Sequence, residues 1–297
     1  MGNAPIRIGV ISDTHLSPVY GFFYTNFRAV VTALDAMAPD IVINAGDLCV
    51  DGAGSEVDLA FAAACHRRIG APLYCVPGNH DIGDHASYTH VKQPVNEERI
   101  DRYARHFGPG YWAVEAGAWT LIGLDCLAFE TGTAKEAAQW AWLADTVGRI
   151  GDRPVGLIIH KPLHVDIPDL DDNLPLVVRQ GASRARLEAL LTPLDWRFVI
   201  SGHLHQSLRR RVDGVEHIWA PSTAFRSSQL KGPSDPELGM MVLTLMDRDY
   251  ECTLLRPEGL ISRDLDDIKE HGRYTWLRDM PPSPPSGAPE LGEIEQA

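Results

Sequence analysis

The chain has 297 residues, 44% hydrophobic and 23% charged, the composition of a globular protein with one large core or two smaller ones. Its 27 Lys plus Arg against 40 Asp plus Glu give a formal charge of −13, which repels a nucleic-acid backbone and argues against a long polyanionic substrate. No apolar run reaches the roughly 18 residues of a membrane span and no signal-peptide core precedes the first strand, so the expectation is a cytoplasmic protein without a membrane partner.

Residues 6–12 are a short apolar run rich in β-branched side chains and read as a strand with Asp13-Thr14-His15 at its carboxyl end. Apolar residues recur at helical spacing over 26–37 until Pro39, so a crossover helix leads to a strand at 41–43 with Gly46-Asp47 just past it. A helix over 57–69 and a strand over 73–76 complete a βαβαβ alternation. It predicts a parallel sheet covered by helices, with its strand ends along one edge. The third strand runs into Pro77-Gly78-Asn79-His80-Asp81, the kind of loop that carries chemistry in α/β sheets. There Gly78 permits a close backbone approach, Asn79 offers a carbonyl oxygen and His80 an imidazole that titrates near neutral pH.

Residues 84–96 have no clear period and read as a loop over the site, followed by a polar amphipathic helix at 97–106. A hairpin is expected from 111–114 and 119–124, turning at Gly117, then a helix over 135–147. The strand at 155–159 ends at His160, and the Asp- and Pro-rich stretch 162–181 reads as a second rim loop. A helix over 183–191 leads to the strand at 198–200 and to Gly202-His203-Leu204-His205. Strands at 208–212, 216–219, 241–245 and 250–255, joined by turns such as Asp213-Gly214, are expected to form a second, mixed sheet. The Pro-rich tail from Pro281 is expected to be disordered or draped on a neighbour; with Trp219, Phe225 and Trp276 it is a candidate homo-oligomer interface as well as core and cover.

Asp13, His15, Asp47, Asn79, His160, His203 and His205 all lie at the ends of apolar runs and offer oxygen or imidazole nitrogen, a donor set that suits Mn, Fe, Zn or Co. Seven donors are too many for one tetrahedral ion and suit two ions about 3.5–4 Å apart that share a carboxylate and a hydroxide. The cysteines, Cys49, Cys65, Cys75, Cys126 and Cys252, are an odd set without CxxC spacing and read as reduced, buried thiols.

The order Asp-x-His, Gly-Asp, Gly-Asn-His-Asp, His, Gly-His-x-His over residues 8–205 resembles the calcineurin-like metallophosphoesterases, and among them the bacterial cyclic-nucleotide and glycerophosphodiester phosphodiesterases. The resemblance implies an α/β fold, a four-layer αββα sandwich with two mixed β-sheets, over residues 1–256, followed by a C-terminal extension at 257–297. It implies one divalent ion held by Asp13, His15 and His205, another by Asn79, His160 and His203, and Asp47 bridging them. The implied reaction is hydrolysis of a small phosphodiester by a metal-bridging hydroxide. His80 would stabilise the phosphoryl oxygens or protonate the leaving alkoxide, and with Asn79 it would contact substrate. Lys161, which the motif does not specify, is a candidate to bind a substrate phosphate or carboxylate, or to reach solvent. Asp51 stands one place later than the second Asp of the protein phosphatases and no Arg follows it, so protein-phosphatase activity is disfavoured and its part in orienting His80 stays open. The alternatives are a phosphomonoesterase, either nucleotidase or sugar-phosphate phosphatase, and a non-catalytic metallophosphoesterase-like binding subunit.

Overall fold

The computed structural model describes residues 4–18, 22–88, 93–165, 176–179, 181–227 and 234–263. The expectations for the tail and Trp276, and most of the rim loop at 162–181, lie outside these residues. Strands β1 (Ile6–Ile11), β2 (Ile41–Asn44) and β3 (Leu73–Cys75) are parallel neighbours joined by helices α1 (Phe22–Met37) and α2 (Glu56–His66). The expected βαβαβ unit is present. Two antiparallel strands, β10 (Met240–Leu245) and β11 (Tyr250–Leu255), extend it on the β1 side.

The second sheet has the order β4-β5-β6-β7-β9-β8, built from β4 (Trp112–Ala116), β5 (Trp119–Gly123), β6 (Pro154–Ile158), β7 (Asp195–Ser201), β8 (Leu208–Val212) and β9 (Val215–Trp219). The last four strands were expected together, and the structure divides them. The β8–β9 hairpin stays with the second sheet, whereas β10 pairs with β1, because Met241, Leu243 and Leu245 belong to the same apolar layer as Ile8 and Val10. Both sheets are therefore mixed.

Between the sheets lies an apolar layer that includes Ile8, Val10, Ile43, Ile158, Phe198, Ile200 and Ile218. Alternation along each strand sends the intervening residues, such as Val42, Leu157 and Val199, outward into a second cluster with helical side chains. Those helices are α1 and α2, α4 (Glu97–Phe107), α5 (Ala134–Ile150) and α6 (Ala182–Leu191). β2 and β6 are buried throughout, as expected of parallel strands covered on both faces. The helices start at side-chain caps where the sequence supplies them: Ser55 accepts from the Asp58 N–H, Asn96 from Arg99 and Thr133 from Glu136. Among the described residues no helix is long and apolar enough to cross a membrane. All five cysteines are unpaired and buried, and so are Trp219 and Phe225.

His66 ends α2 inside this outer layer. Its Nδ1–H donates to the Ala62 carbonyl at 2.7 Å and its Nε2 accepts from the Asn44 amide at 2.9 Å, so the ring is held neutral. Burial lowers its pKa to about 4. In the unfolded chain it takes up a proton near 6.5, so the folded state keeps its full advantage above that pH and loses it as pH falls from about 6.5 to about 4. The expected loss over that window is about 3 kcal/mol. Urea unfolding of the wild type and His66→Gln between pH 7 and 4 should show this slope in the first and a flatter one in the second.

Candidate metal centre

The five ligand-bearing blocks all follow the carboxyl ends of parallel strands: β1 delivers Asp13 and His15, β2 Asp47, β3 Asn79 and His80, β6 His160, and β7 His203 and His205. Backbone bonds lash them together. Asp13 N–H donates to the Gly46 carbonyl at 2.9 Å, His15 N–H to Asp47 at 3.0 Å, and Gly202 N–H to His160 at 2.9 Å. The segment that follows β3 is expected as loop; Asn79–Ile82 instead form a single helical turn, α3.

Among the described residues three groups of donor atoms, each within 4.8 Å of one another, come together: Asp13, His15 and His205; His15, Asp47 and His80; and Asp47, His160 and His203. The Asn79 Oδ1 lies 3.2 Å from His160 Nε2, which brings the carboxamide to the third group. One Asp47 oxygen, Oδ2, stands 3.3 Å from His160, 3.8 Å from His15 and 4.0 Å from His80. The other, Oδ1, accepts the His80 backbone N–H at 2.8 Å, which fixes the carboxylate between the two outer groups. Asp13 is fixed likewise by the His203 N–H at 3.1 Å and the Ser12 hydroxyl.

The tautomers follow from the partners. His160, His205 and His80 each direct Nδ1 at a backbone carbonyl, of Ala45, Phe225 and Val50 at 2.8, 2.7 and 2.8 Å, and a carbonyl can only accept. A neutral ring then presents the Nε2 lone pair to the centre. His205 Nε2 faces His15 Nε2 at 3.2 Å and Asp13 Oδ1 at 3.2 Å, and the buried His15 Nδ1 has no hydrogen-bond partner. Electron-rich atoms thus converge in a largely buried place, with Asn79, His80 and His203 partly exposed at its mouth, an arrangement that a cation relieves. The electrostatics agree. Burial alone raises the Asp47 pKa, but His160, His80 and His15 overcome it and hold the carboxyl well below its usual range. Burial opposes charge on His160, yet Asp47 raises it to about 9. Burial and the His80 ring push His15 well down. The residues present fit divalent cations.

Holding these donors so close strains the backbone. Asp13, His15, Asp47, His203 and His205 all adopt positive φ, at 52°, 44°, 53°, 71° and 53°. Non-glycine residues rarely do so, and such strain collects at functional sites. Two glycines make the close approach feasible. Gly46 has φ 102°, and a Cβ there would come within 2.4 Å of the His160 ring; a Cβ on Gly78 would come within 2.1 Å of Asp47 Oδ1 and 2.3 Å of the Asp47 nitrogen.

Asp81 has no role legible from the order of residues alone. Fully buried, it accepts N–H bonds from Gly78 at 2.8 Å, Cys49 at 3.1 Å and Leu48 at 3.2 Å, so one carboxylate clamps the Asp47 loop to the Asn79 turn. Burial and the Asp47 charge raise its pKa to about 7 against those donors. The sequence signal for it is an acid that closes the Gly78-Asn79-His80-Asp81 run. Lys161 is 3% exposed, and its Nζ bonds both Asp84 oxygens at 2.7 and 2.8 Å beneath the Tyr88 ring. Asp51 accepts from Gln93 at 2.7 Å, and the Nδ1 of His80 is oriented by the Val50 carbonyl.

The calcineurin-like phosphoesterase family profile matches residues 6–207, and the chain belongs to that family. A probable cyclic nucleotide phosphodiesterase of Synechococcus sp. is 22% identical over 77% of this chain and 85% of its own length. A glycerophosphodiester phosphodiesterase of Enterobacter lignolyticus is 28% identical over 51% of this chain and 55% of its own length. A purple acid phosphatase from yellow lupin shares the fold with a TM-score of 0.61 at 15% identity, over 90% of this chain and 55% of that one. The two mixed sheets flanked by helices are those of this family, and the protein is a metal-dependent phosphoric ester hydrolase.

Gly78→Ala is expected to push the Asp47 carboxylate out of place: metal content by mass spectrometry falls, while far-UV circular dichroism is kept and stability drops by about 1–3 kcal/mol.

Proposed function

We propose that the chain hydrolyses a small phosphodiester with two divalent ions of the Mn, Fe, Zn or Co type. One would be held by Asp13, His15 and His205, the other by Asn79, His160 and His203, with Asp47 shared. The observation that carries this reading is the position of Asp47, one carboxylate within reach of imidazoles from both outer groups. Bound ions supply Lewis acidity at the phosphoryl oxygen and lower the pKa of a water toward neutrality. The diester preference is supported by the names of the two curated relatives.

The chain's own residues do the rest. Asp13 and Asp47 are oriented by backbone N–H groups of neighbouring ligand loops, so the donors are in position before substrate arrives. With Nδ1–H committed to Val50, His80 works through Nε2. In its protonated form it donates a hydrogen bond to a phosphoryl oxygen, then gives that proton to the leaving alkoxide as the phosphorus–oxygen bond breaks. Lys161 would have to abandon a buried ion pair to reach a substrate, so its proposed part is to fasten the segment at Asp84 beside the strand end that carries His160. A cytoplasmic location is in keeping with five unpaired thiols.

Hydrolysis of bis(p-nitrophenyl) phosphate is expected to stop on chelation and return with Mn, and to exceed hydrolysis of p-nitrophenyl phosphate. The reverse preference would establish the monoesterase instead, and an inert, fully metallated protein would remove the enzyme. His80→Ala should cost about 10²–10⁴ in kcat with an alkyl leaving group and much less with p-nitrophenolate, which needs no proton. An equal loss with both would assign His80 to the phosphoryl oxygens alone.

A further inference from the structure

A second cavity, of about 640 Å³, opens under α6 against the outward face of the second sheet, and its wall includes His164, Arg184, Trp196, Arg197, Arg211 and His217. It lies away from the metal centre. The ligands follow the carboxyl end of β7, whereas this cavity is lined by Leu194, Asp195 and Trp196 at the start of that strand and by the β8–β9 turn. Its volume falls within the range of small-molecule sites, roughly 300–1,000 Å³.

The lining is sorted by depth. The innermost groups are basic: His217 is 3% exposed and Arg184 9%, and the Arg184 guanidinium donates to the His164 ring at 2.8 Å. His217 Nδ1 is buried without a hydrogen-bond partner, an unusual state for a polar atom in a cavity wall. Nearer the surface both signs are present: Glu188 bonds Arg184 at 3.0 Å, Asp195 bonds Arg248 at 3.0 Å, and Arg211 and Asp213 stand exposed at the turn. Arg184 is the cation at the floor, and the imidazoles beside it present N–H groups rather than charge. Burial, the His164 ring, Arg210 and Arg184 together push the His217 pKa down to about 4, and burial followed by Arg184 lowers that of His164. A guanidinium beside neutral imidazoles, with one ring nitrogen unpartnered, makes a floor of hydrogen-bond donors that suits an anionic acceptor. Half-buried Trp196 adds an apolar plane to the same wall.

We propose that this cavity binds a small phosphorylated organic molecule, its phosphate held by Arg184, His164 and His217 and bordered by Arg211, its organic part against Trp196. The site is separate from the hydrolytic one and does not depend on its assignment. Phenylphosphonate, which has no ester to hydrolyse, and inorganic phosphate are the probes. Each is titrated into the metal-loaded, full-length protein while the imidazole ¹H–¹⁵N resonances of His164 and His217 are followed, a readout the metal centre does not supply. Both histidines are expected to shift in one saturable step, at a concentration about tenfold lower for phenylphosphonate than for phosphate. Arg211→Glu, on the exposed edge strand, and Arg184→Gln should each weaken that step about tenfold or more while bis(p-nitrophenyl) phosphate turnover without probe stays within about twofold. Absence of a saturable shift at both histidines, or undiminished binding in both variants, would overturn the site; equal affinity for the two probes would overturn the organic ligand.

Discussion

The structure depends on forcing like against like. Carboxylate oxygens and imidazole lone pairs from five separate strand ends face one another at 3.2–4.0 Å in a largely buried pocket. Unaided, such a cluster repels itself or takes up protons, as the raised pKa of His160 beside Asp47 illustrates. The fold supplies the restraint. Parallel strands in two packed sheets aim five loops at one rim, and backbone bonds between those loops hold each donor where it would not settle alone.

That restraint is visible as backbone strain. Five of the ligand candidates have left-handed φ values, a conformation that a short loop free of such demands would avoid. The cost is met by structure around the site: the Asp81 carboxylate binds three N–H groups from two loops, and Gly46 and Gly78 leave out the Cβ atoms that would separate Asp47 from its neighbours. Metal affinity and fold stability are therefore linked, since a bound cation removes the repulsion that the strained loops otherwise carry.

Two lysine and arginine arrangements show how an acidic protein uses its few buried cations. Lys161 is neutralised by Asp84 and serves cohesion next to His160. Arg184 shares its guanidinium between Glu188 and His164 at the floor of a cavity whose rim carries both signs. Formal net charge describes neither place, because field strength depends on which groups are desolvated.

The elements and the donor set are legible along the chain. Apolar runs and helical periods located the strands and helices to within a few residues, apart from the turn α3, and each donor stood at the end of such a run. These signals are local, since periodicity and turn chemistry depend on neighbours along the chain. Tertiary structure alone decided that β10 joins β1 rather than the second sheet, that Asp81 clamps two loops, that Lys161 is internally paired, and that His164, Arg184 and His217 line one cavity. Each of these joins residues far apart in the chain, and which distant groups meet is set by how the two sheets and their helices pack, a property that no stretch of sequence carries on its own.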